Sequence, residues 1–310
     1  MRIARYIALG CLLLVAALGA TACVESDWQP IDPPSYAQET ADLADFDVVV
    51  KERHYRVRID ETVRTRIFAP AVADEPIAGD FPVVLFAHGG AVKPHRYDWL
   101  CAHMASRGFV VLAPRHALDL PILAQDNILD VLHTARRAAD GPQDPLHGVI
   151  GDGTAAAIGH SLGGVVAANA WLNHPGKVSH LGLLASYPNG AERVDRLAPP
   201  SADNEYVLSI IGGNDGLLEV DKAAEELEPI DAPRTLAVVE GMNHFQFTDD
   251  VGSSEANRDA DPDVETETAR RLVLFLVDGW LDDFANDDVR LRETSAWPEG
   301  LVTGEEYLGD

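Results

Sequence analysis

Three residue types able to perform acyl transfer occur in a telling order along this chain: Ser161, Asp215 and His244. Ser161 lies in Gly159-His160-Ser161-Leu162-Gly163, after the apolar run Thr154 to Ile158 and before the helical run Val165 to Leu172. A strand, a sharp turn and a helix around a G-x-S-x-G match form a nucleophile elbow, which lifts a serine hydroxyl above the end of a sheet. The glycines leave room where strand and helix nearly touch. The helix begins directly after the serine, so its first N–H groups point at any oxyanion formed there.

A serine hydroxyl needs a base, and the base needs an orienting acid. After such an elbow they follow in the order acid, then histidine, each beyond a strand. Tyr206 to Ile211 reads as a buried strand, and Gly212-Gly213-Asn214-Asp215-Gly216 follows it. Thr235 to Val239 is the next strand, leading through Glu240-Gly241-Met242-Asn243 to His244. Asp215 is therefore the expected acid and His244 the expected base. The oxyanion needs a second donor besides the Leu162 N–H, and this normally comes from the loop after an earlier strand. Phe81 to Ala87 is such a strand, ending in His88-Gly89-Gly90. Gly90 N–H is the expected donor and Gly89 N–H the alternative. His88 is expected to prop this loop, since one base suffices.

Strands at 83–87, 109–113, 154–158, 180–185, 206–211 and 235–239 alternate with helices at 97–107, 126–139, 163–173, 219–227 and 265–284. That alternation predicts an α/β fold with a mostly parallel central sheet wrapped by helices. Two alternating runs at 46–51 and 63–68 predict an antiparallel hairpin leading into it. About twenty residues join the strands at 180–185 and 206–211, too few for a large cap domain. Tyr187 is the expected aromatic wall of an open site, with packing under the loop as the equal alternative.

These motifs resemble one family. Phe-Ala-His-Gly-Gly at 86–90, Tyr-Asp-Trp-Leu at 97–100, Ala-Ser-Arg-Gly-Phe-Val-Val-Leu-Ala-Pro at 105–114 and Gly-His-Ser-Leu-Gly-Gly at 159–164 carry the likeness. So do Ala-Ser-Tyr-Pro at 185–188, Gly-Gly-Asn-Asp-Gly at 212–216 and Glu-Gly-Met-Asn-His-Phe-Gln-Phe at 240–247. From Pro82 to Trp280 the chain resembles bacterial α/β-hydrolases of the dienelactone-hydrolase-like or platelet-activating-factor-acetylhydrolase-like group. The resemblance implies the α/β-hydrolase fold, a Ser161–Asp215–His244 triad and cleavage of carboxylic esters without metal or organic cofactor. Dienelactone hydrolases proper carry a cysteine where Ser161 stands. Cutinases and polyester hydrolases share part of this texture but usually place an aromatic residue at the position of Gly90. A cutinase-like enzyme is one alternative, and a non-catalytic binding lipoprotein on the same scaffold is another.

The remaining sequence speaks to compartment and partners. Arg2 and Arg5 precede an apolar run, Ile7 to Leu18, too short to span a membrane comfortably. Residues 1–22 read as a signal peptide and Cys23 as a lipidation site, predicting an exported protein held to the bacterial envelope by acyl chains alone. Without lipidation it would be periplasmic or secreted. Residues 23–40 read as an acidic, proline-rich tether, 41–286 as the catalytic domain and 287–310 as an acidic tail. Cys11, Cys23 and Cys101 allow no disulfide inside the domain. Cys101 and His103, two apart on a helix, do not share a face for a metal. Asn257, Asp259, Asp261 and Asp263 have the spacing of a calcium loop but lack its glycine and terminal acid, and read as a solvated loop. A net charge of -26 argues against nucleic acid and anionic lipid surfaces as partners. A small ester is the expected partner; the oligomeric state stays open.

Overall fold

The computed structural model describes residues 27–35, 46–116, 127–174, 176–188, 205–286 and 297–307. Cys23 and the 1–22 segment lie outside the described residues. The strands are β1 (Gln29–Pro30), β2 (Asp47–Arg56), β3 (Thr62–Val72), β4 (Glu75–Pro76), β5 (Phe81–Ala87) and β6 (Val110–Pro114). They continue with β7 (Ile150–His160), β8 (Val178–Leu184), β9 (Tyr206–Gly212), β10 (Arg234–Val239) and β11 (Val302–Tyr307). The helices are α1 (Asp98–Ser106), α2 (Asn127–Ala139), α3 (Leu162–Asn173), α4 (Val220–Leu227), α5 (Ser253–Ala256) and α6 (Thr266–Asn286).

All the described strands join one sheet in the order β1-β2-β3-β6-β5-β7-β8-β9-β10-β11, with β4 on β3. Strands β6 to β10 in that order run parallel, which requires the helical crossovers that alternate with them. The expected hairpin is β2–β3, longer than the sequence runs and antiparallel throughout.

Side chains alternate across the sheet, as a period of two demands. Val83, Leu85 and Ala87 of β5, with Ala155 and Ala157 of β7, face one core, which α2, α3 and α4 cover through Leu132, Val166, Trp171 and Leu227. Val84, Phe86, Ala156 and Ile158 face the other, covered by Leu100 and Met104 of α1 and Val273, Val277 and Trp280 of α6. The alanines of β7 let α3 approach the sheet closely, which brings the helix N-terminus to the end of its own strand.

Two boundaries differ from the sequence expectation. Trp28 is buried in the first core and β1 pairs with β2, so the 23–40 stretch is partly packed against the domain. The 287–310 tail contains β11, antiparallel on β10, with Trp297 and Val302 buried. Val-Thr-Gly-Glu-Glu-Tyr carries little apolar pattern because the strand adds to the sheet mainly by backbone bonds. Gly304 is required there, since a Cβ would stand 1.9 Å from the Leu236 carbonyl oxygen. No helix among the described residues is long and apolar enough to cross a membrane.

Candidate active site

Ser161 directly follows β7 and caps α3 with φ 53° and ψ -125°, a conformation that costs a non-glycine residue on the order of 1–3 kcal/mol. Its surroundings hold it there. The Ser161 N–H donates to the Leu184 carbonyl at 2.9 Å. Its own carbonyl accepts from the Gly164 N–H at 2.9 Å and from the Ser186 hydroxyl at 2.6 Å. A Cβ on Gly159 would lie 2.3 Å from the Gly163 oxygen, and one on Gly163 would lie 2.1 Å from the Ala87 oxygen. Only glycines permit this crossing of β5, β7 and α3.

Asp215 follows β9 with its side chain fully buried. One carboxylate oxygen accepts the Leu217 and Leu218 N–H groups at 2.8 Å each. The other accepts from His244 Nδ1 at 2.8 Å. With Nδ1–H committed to the carboxylate, a neutral His244 keeps the Nε2 lone pair free as a base. Ser161 Oγ and the His244 ring are not hydrogen-bonded to one another in this structure; such bonds often tighten only with substrate in place.

Two residues with no role expected from sequence alone, Tyr97 and His160, tie the segments together. Gly89 N–H donates to the Tyr97 hydroxyl at 3.0 Å, and that hydroxyl meets His160 Nδ1 at 2.9 Å. His160 Nε2 lies 3.1 Å from the His244 carbonyl. A carbonyl only accepts, so Nε2 carries the proton; Nδ1 is then the acceptor and Tyr97 the donor. Burial above all, with the neighbouring His244 ring, holds the His160 imidazole well below its usual range and hence neutral. Burial likewise pushes the Tyr97 phenol up, so it keeps its proton. Bonds directed Gly89 to Tyr97 to His160 to His244 thus join the glycine loop, the elbow and the histidine loop. His160 is the variable residue of G-x-S-x-G, so its position was legible. Its partners lie 63 and 84 residues away and were not.

Because Gly89 N–H is committed to Tyr97, the alternative donor is occupied. Among the described residues the Gly90 and Leu162 amides donate to no protein acceptor. A Cβ on Gly90 would lie 2.6 Å from Leu162 Cδ1, so the two residues are neighbours. His88, buried, props the loop as expected. Its Nε2 accepts the His116 N–H at 3.1 Å, and its Nδ1–H donates to the Gly89 carbonyl at 2.9 Å. Fixing that carbonyl turns the next N–H, of Gly90, the opposite way across the trans peptide. Tyr187 is half-buried and packs against the first core. Cys101 is buried on α1, and burial pushes its thiol well up, away from thiolate reactivity.

The 248–264 stretch is not merely solvated. Asp259 Oδ1 accepts the Gly216 and Ala260 N–H groups and Oδ2 the Phe245 N–H, all at 2.9 Å. One carboxylate thus clamps the Asp215 loop to the His244 loop. Arg96 holds the same stretch through Glu255 and Thr248, and Arg270 holds it through Asp249. The regular acidic spacing drew attention to a cation, whereas the acceptors serve backbone amides. Among the described residues no group of three or more His, Cys, Asp and Glu is arranged around a metal.

A mostly parallel sheet whose central strand ends in an elbow serine, with an Asp–His pair beyond two later strands, defines the α/β-hydrolase class. The chain belongs to the alpha/beta hydrolase family, whose model it matches over residues 83–266. Residues 26–120 also match the model for platelet-activating factor acetylhydrolase, isoform II. Among curated proteins it is similar to Chlorophyllase-1 of Arabidopsis thaliana, at 32% identity over 100 residues, 32% of this chain and 31% of that protein. It is also similar to the chloroplastic Chlorophyllase-1 of Citrus unshiu, at 32% identity over 95 residues, 29% and 28% of the two chains. The chain spans about a third of the length of these curated relatives.

Proposed function

We propose that this protein is a serine esterase that cleaves carboxylic esters through an acyl-enzyme on Ser161. The observation that carries the reading is the 2.8 Å bond from His244 Nδ1 to the buried Asp215, on loops beside the strained Ser161 elbow. His244 Nε2 removes the Ser161 proton as Oγ bonds to the ester carbonyl carbon. Asp215 keeps the ring in the required tautomer and stabilises the imidazolium. The Leu162 and Gly90 N–H groups hold the oxyanion. His244 then passes its proton to the departing alkoxide as the ester C–O bond breaks. Water, deprotonated by the same ring, attacks the acyl carbon and frees Ser161. The chain's similarity to hydrolase families supports the same chemistry.

A fluorophosphonate probe is the direct test, because it labels an activated serine and spares a merely exposed one. The wild type should be labelled and should hydrolyse p-nitrophenyl esters, and Ser161→Ala should do neither while melting normally. Hydrolysis persisting in Ser161→Ala would overturn the assignment; an unlabelled wild type would favour a binding protein on this scaffold.

The N-terminal segment belongs to the same reading: export directed by residues 1–22 and acylation of Cys23. Expressed with its leader in a bacterium, the protein should incorporate labelled palmitate and fractionate with membranes, and Cys23→Ser should abolish both. A soluble, unmodified periplasmic protein would refute lipidation.

A further inference from the structure

The chain has 50 acidic residues against 24 lysines and arginines, yet one cleft gathers cations. It measures about 150 Å³ and is lined by Arg64, Arg66, Lys93, His95 and Arg115, with Glu52 as the acid at its wall. At about 30 Å³ per water, it has room for a carboxylate or a phosphate. The fold assembles it from three segments. The start of β3 pairs antiparallel with the end of β6, Thr65 opposite Pro114 and Arg66 opposite Ala113. The Arg115 N–H donates to the Arg64 carbonyl at 2.7 Å, so the backbone ties these two basic residues together. Lys93 and His95 enter from the loop after β5.

The charges do not cancel within the cleft. Arg64 pairs with Glu52 at 2.5 Å and Arg66 grips Asp98 through two bonds of 3.0 and 2.6 Å. Lys93 is exposed and makes no ion pair among the described residues, so its charge is the surplus; Arg115 lines the same rim. The surplus is felt by His95, held below its usual range by burial first and then by Arg66, Lys93 and Arg96. In so acidic a molecule, a concavity whose lining carries a net positive charge focuses potential on an anion. Arginine adds a planar fork matched to carboxylate and phosphate oxygens.

Placement relates the cleft to the acyl site. Both lie at the C-terminal edge of the parallel strands. Gly90 and Lys93 share one loop, and His116, next to Arg115, donates to the His88 that fixes the Gly89 carbonyl. From β7, which carries Ser161, the sheet runs through β5 and β6 to β3. Two to three strand spacings of about 4.8 Å put the cleft roughly 10–14 Å from the serine.

We propose that this cleft is an anion subsite, and that the preferred esters carry a carboxylate or phosphate roughly 10–14 Å from the scissile carbonyl. The assignment of that anion to the substrate rests on the esterase reading above.

The test uses the whole protein and p-nitrophenyl esters whose acyl chains have equal length and end in a carboxylate, a phosphate, a methyl or a trimethylammonium group. At low salt, kcat/KM for the anionic ends should exceed that for methyl by about tenfold, mainly through KM, and about 0.5 M salt should erase most of the gain. The carboxylate and phosphate arms show which anion the cleft favours. In Lys93→Ala/Arg115→Ala the anionic-to-methyl ratio should fall towards one. In Lys93→Glu the preference should shift to the trimethylammonium ester. A ratio near one in the wild type, or one that both variants leave intact, would overturn the proposal. A second arm does not depend on hydrolysis: calorimetric binding of adipate and of inorganic phosphate, separately, to Ser161→Ala with and without the Lys93 and Arg115 substitutions. If no ester is cleaved, the substrate assignment falls with the esterase reading, and binding lost on substitution still marks an anion site. Absence of both binding and preference removes the site altogether.

Discussion

At the residue scale, the Asp215 carboxylate and the Tyr97 hydroxyl act on His244 in different ways, and kinetics should separate them. Asp215→Asn replaces an acceptor at Nδ1 by an amide that can present a donor, favouring the wrong tautomer. A loss of roughly 10³–10⁴ in kcat is expected, by analogy with the same change in serine proteases. Tyr97→Phe removes one buried bond between the glycine loop and His160. One such bond is worth about 1–1.5 kcal/mol, so kcat should fall about tenfold with KM little changed, and Gly89 N–H is left without its acceptor. A Tyr97→Phe enzyme with wild-type kcat would show that the linkage does not position the loops. His160 adds a pH signature. It stays neutral in the folded protein but titrates near 6.5 when unfolded. Below that pH the unfolded chain takes up a proton that the folded one refuses. The stability present above about pH 6.5 is therefore lost as pH falls. Urea unfolding of His160→Gln, which keeps one donor and one acceptor, should show a flatter stability profile than wild type between about pH 7 and pH 5. Parallel profiles would mean that His160 is not the group responsible.

At the element scale, the elbow depends on three backbones crossing where no side chain fits. Gly163→Ala would drive a Cβ to 2.1 Å from the Ala87 oxygen and 2.5 Å from that of His88, both backbone atoms that cannot swing aside. It should cost about 1–3 kcal/mol or more, seen as a lower denaturation midpoint. Gly153→Ala, on β7 with nothing within 4 Å, is the control and should be near neutral. Equal midpoints for the two would contradict the crossing. The elbow, both later loops and most strands were legible because each is a local pattern: an apolar run, a glycine, a polar residue of the right type. What stayed hidden is non-local. Strand β7 reaches back to Ile150, which pairs with Phe81, across Gly151-Asp152-Gly153, an irregular stretch that no β pattern would choose and over which the pairing register shifts. Strand β11 depends on backbone pairing and on Arg234, whose guanidinium sits 3.9 Å from the Tyr307 ring. The Asp259 clamp bridges loops 14 and 43 residues away, which an acidic run cannot announce.

For the whole molecule, charge and openness make the last predictions. A chain at -26 repels itself when compact. Raising the salt from about 0.01 M to 0.5 M shortens the screening length from about 30 Å to under 8 Å, and the melting temperature should rise with added sodium chloride. Sodium sulfate should raise it further, by strengthening burial. Openness follows from the short connection between β8 and β9: Leu184 and Tyr206 bracket a segment too brief for a large cap. An acyl chain bound there keeps much of its surface in water. Full burial would add about 0.8 kcal/mol per methylene, close to fourfold in kcat/KM. An open site should give under about twofold per methylene beyond short acyl groups. No jump in rate should appear as an ester crosses its solubility limit, since the connection from Leu184 to Tyr206 is too short for a large cap. Kinetics on neutral p-nitrophenyl esters of graded length check both points. A gain near fourfold sustained over many methylenes, or interfacial activation, would require an enclosed apolar wall that the described loops do not provide.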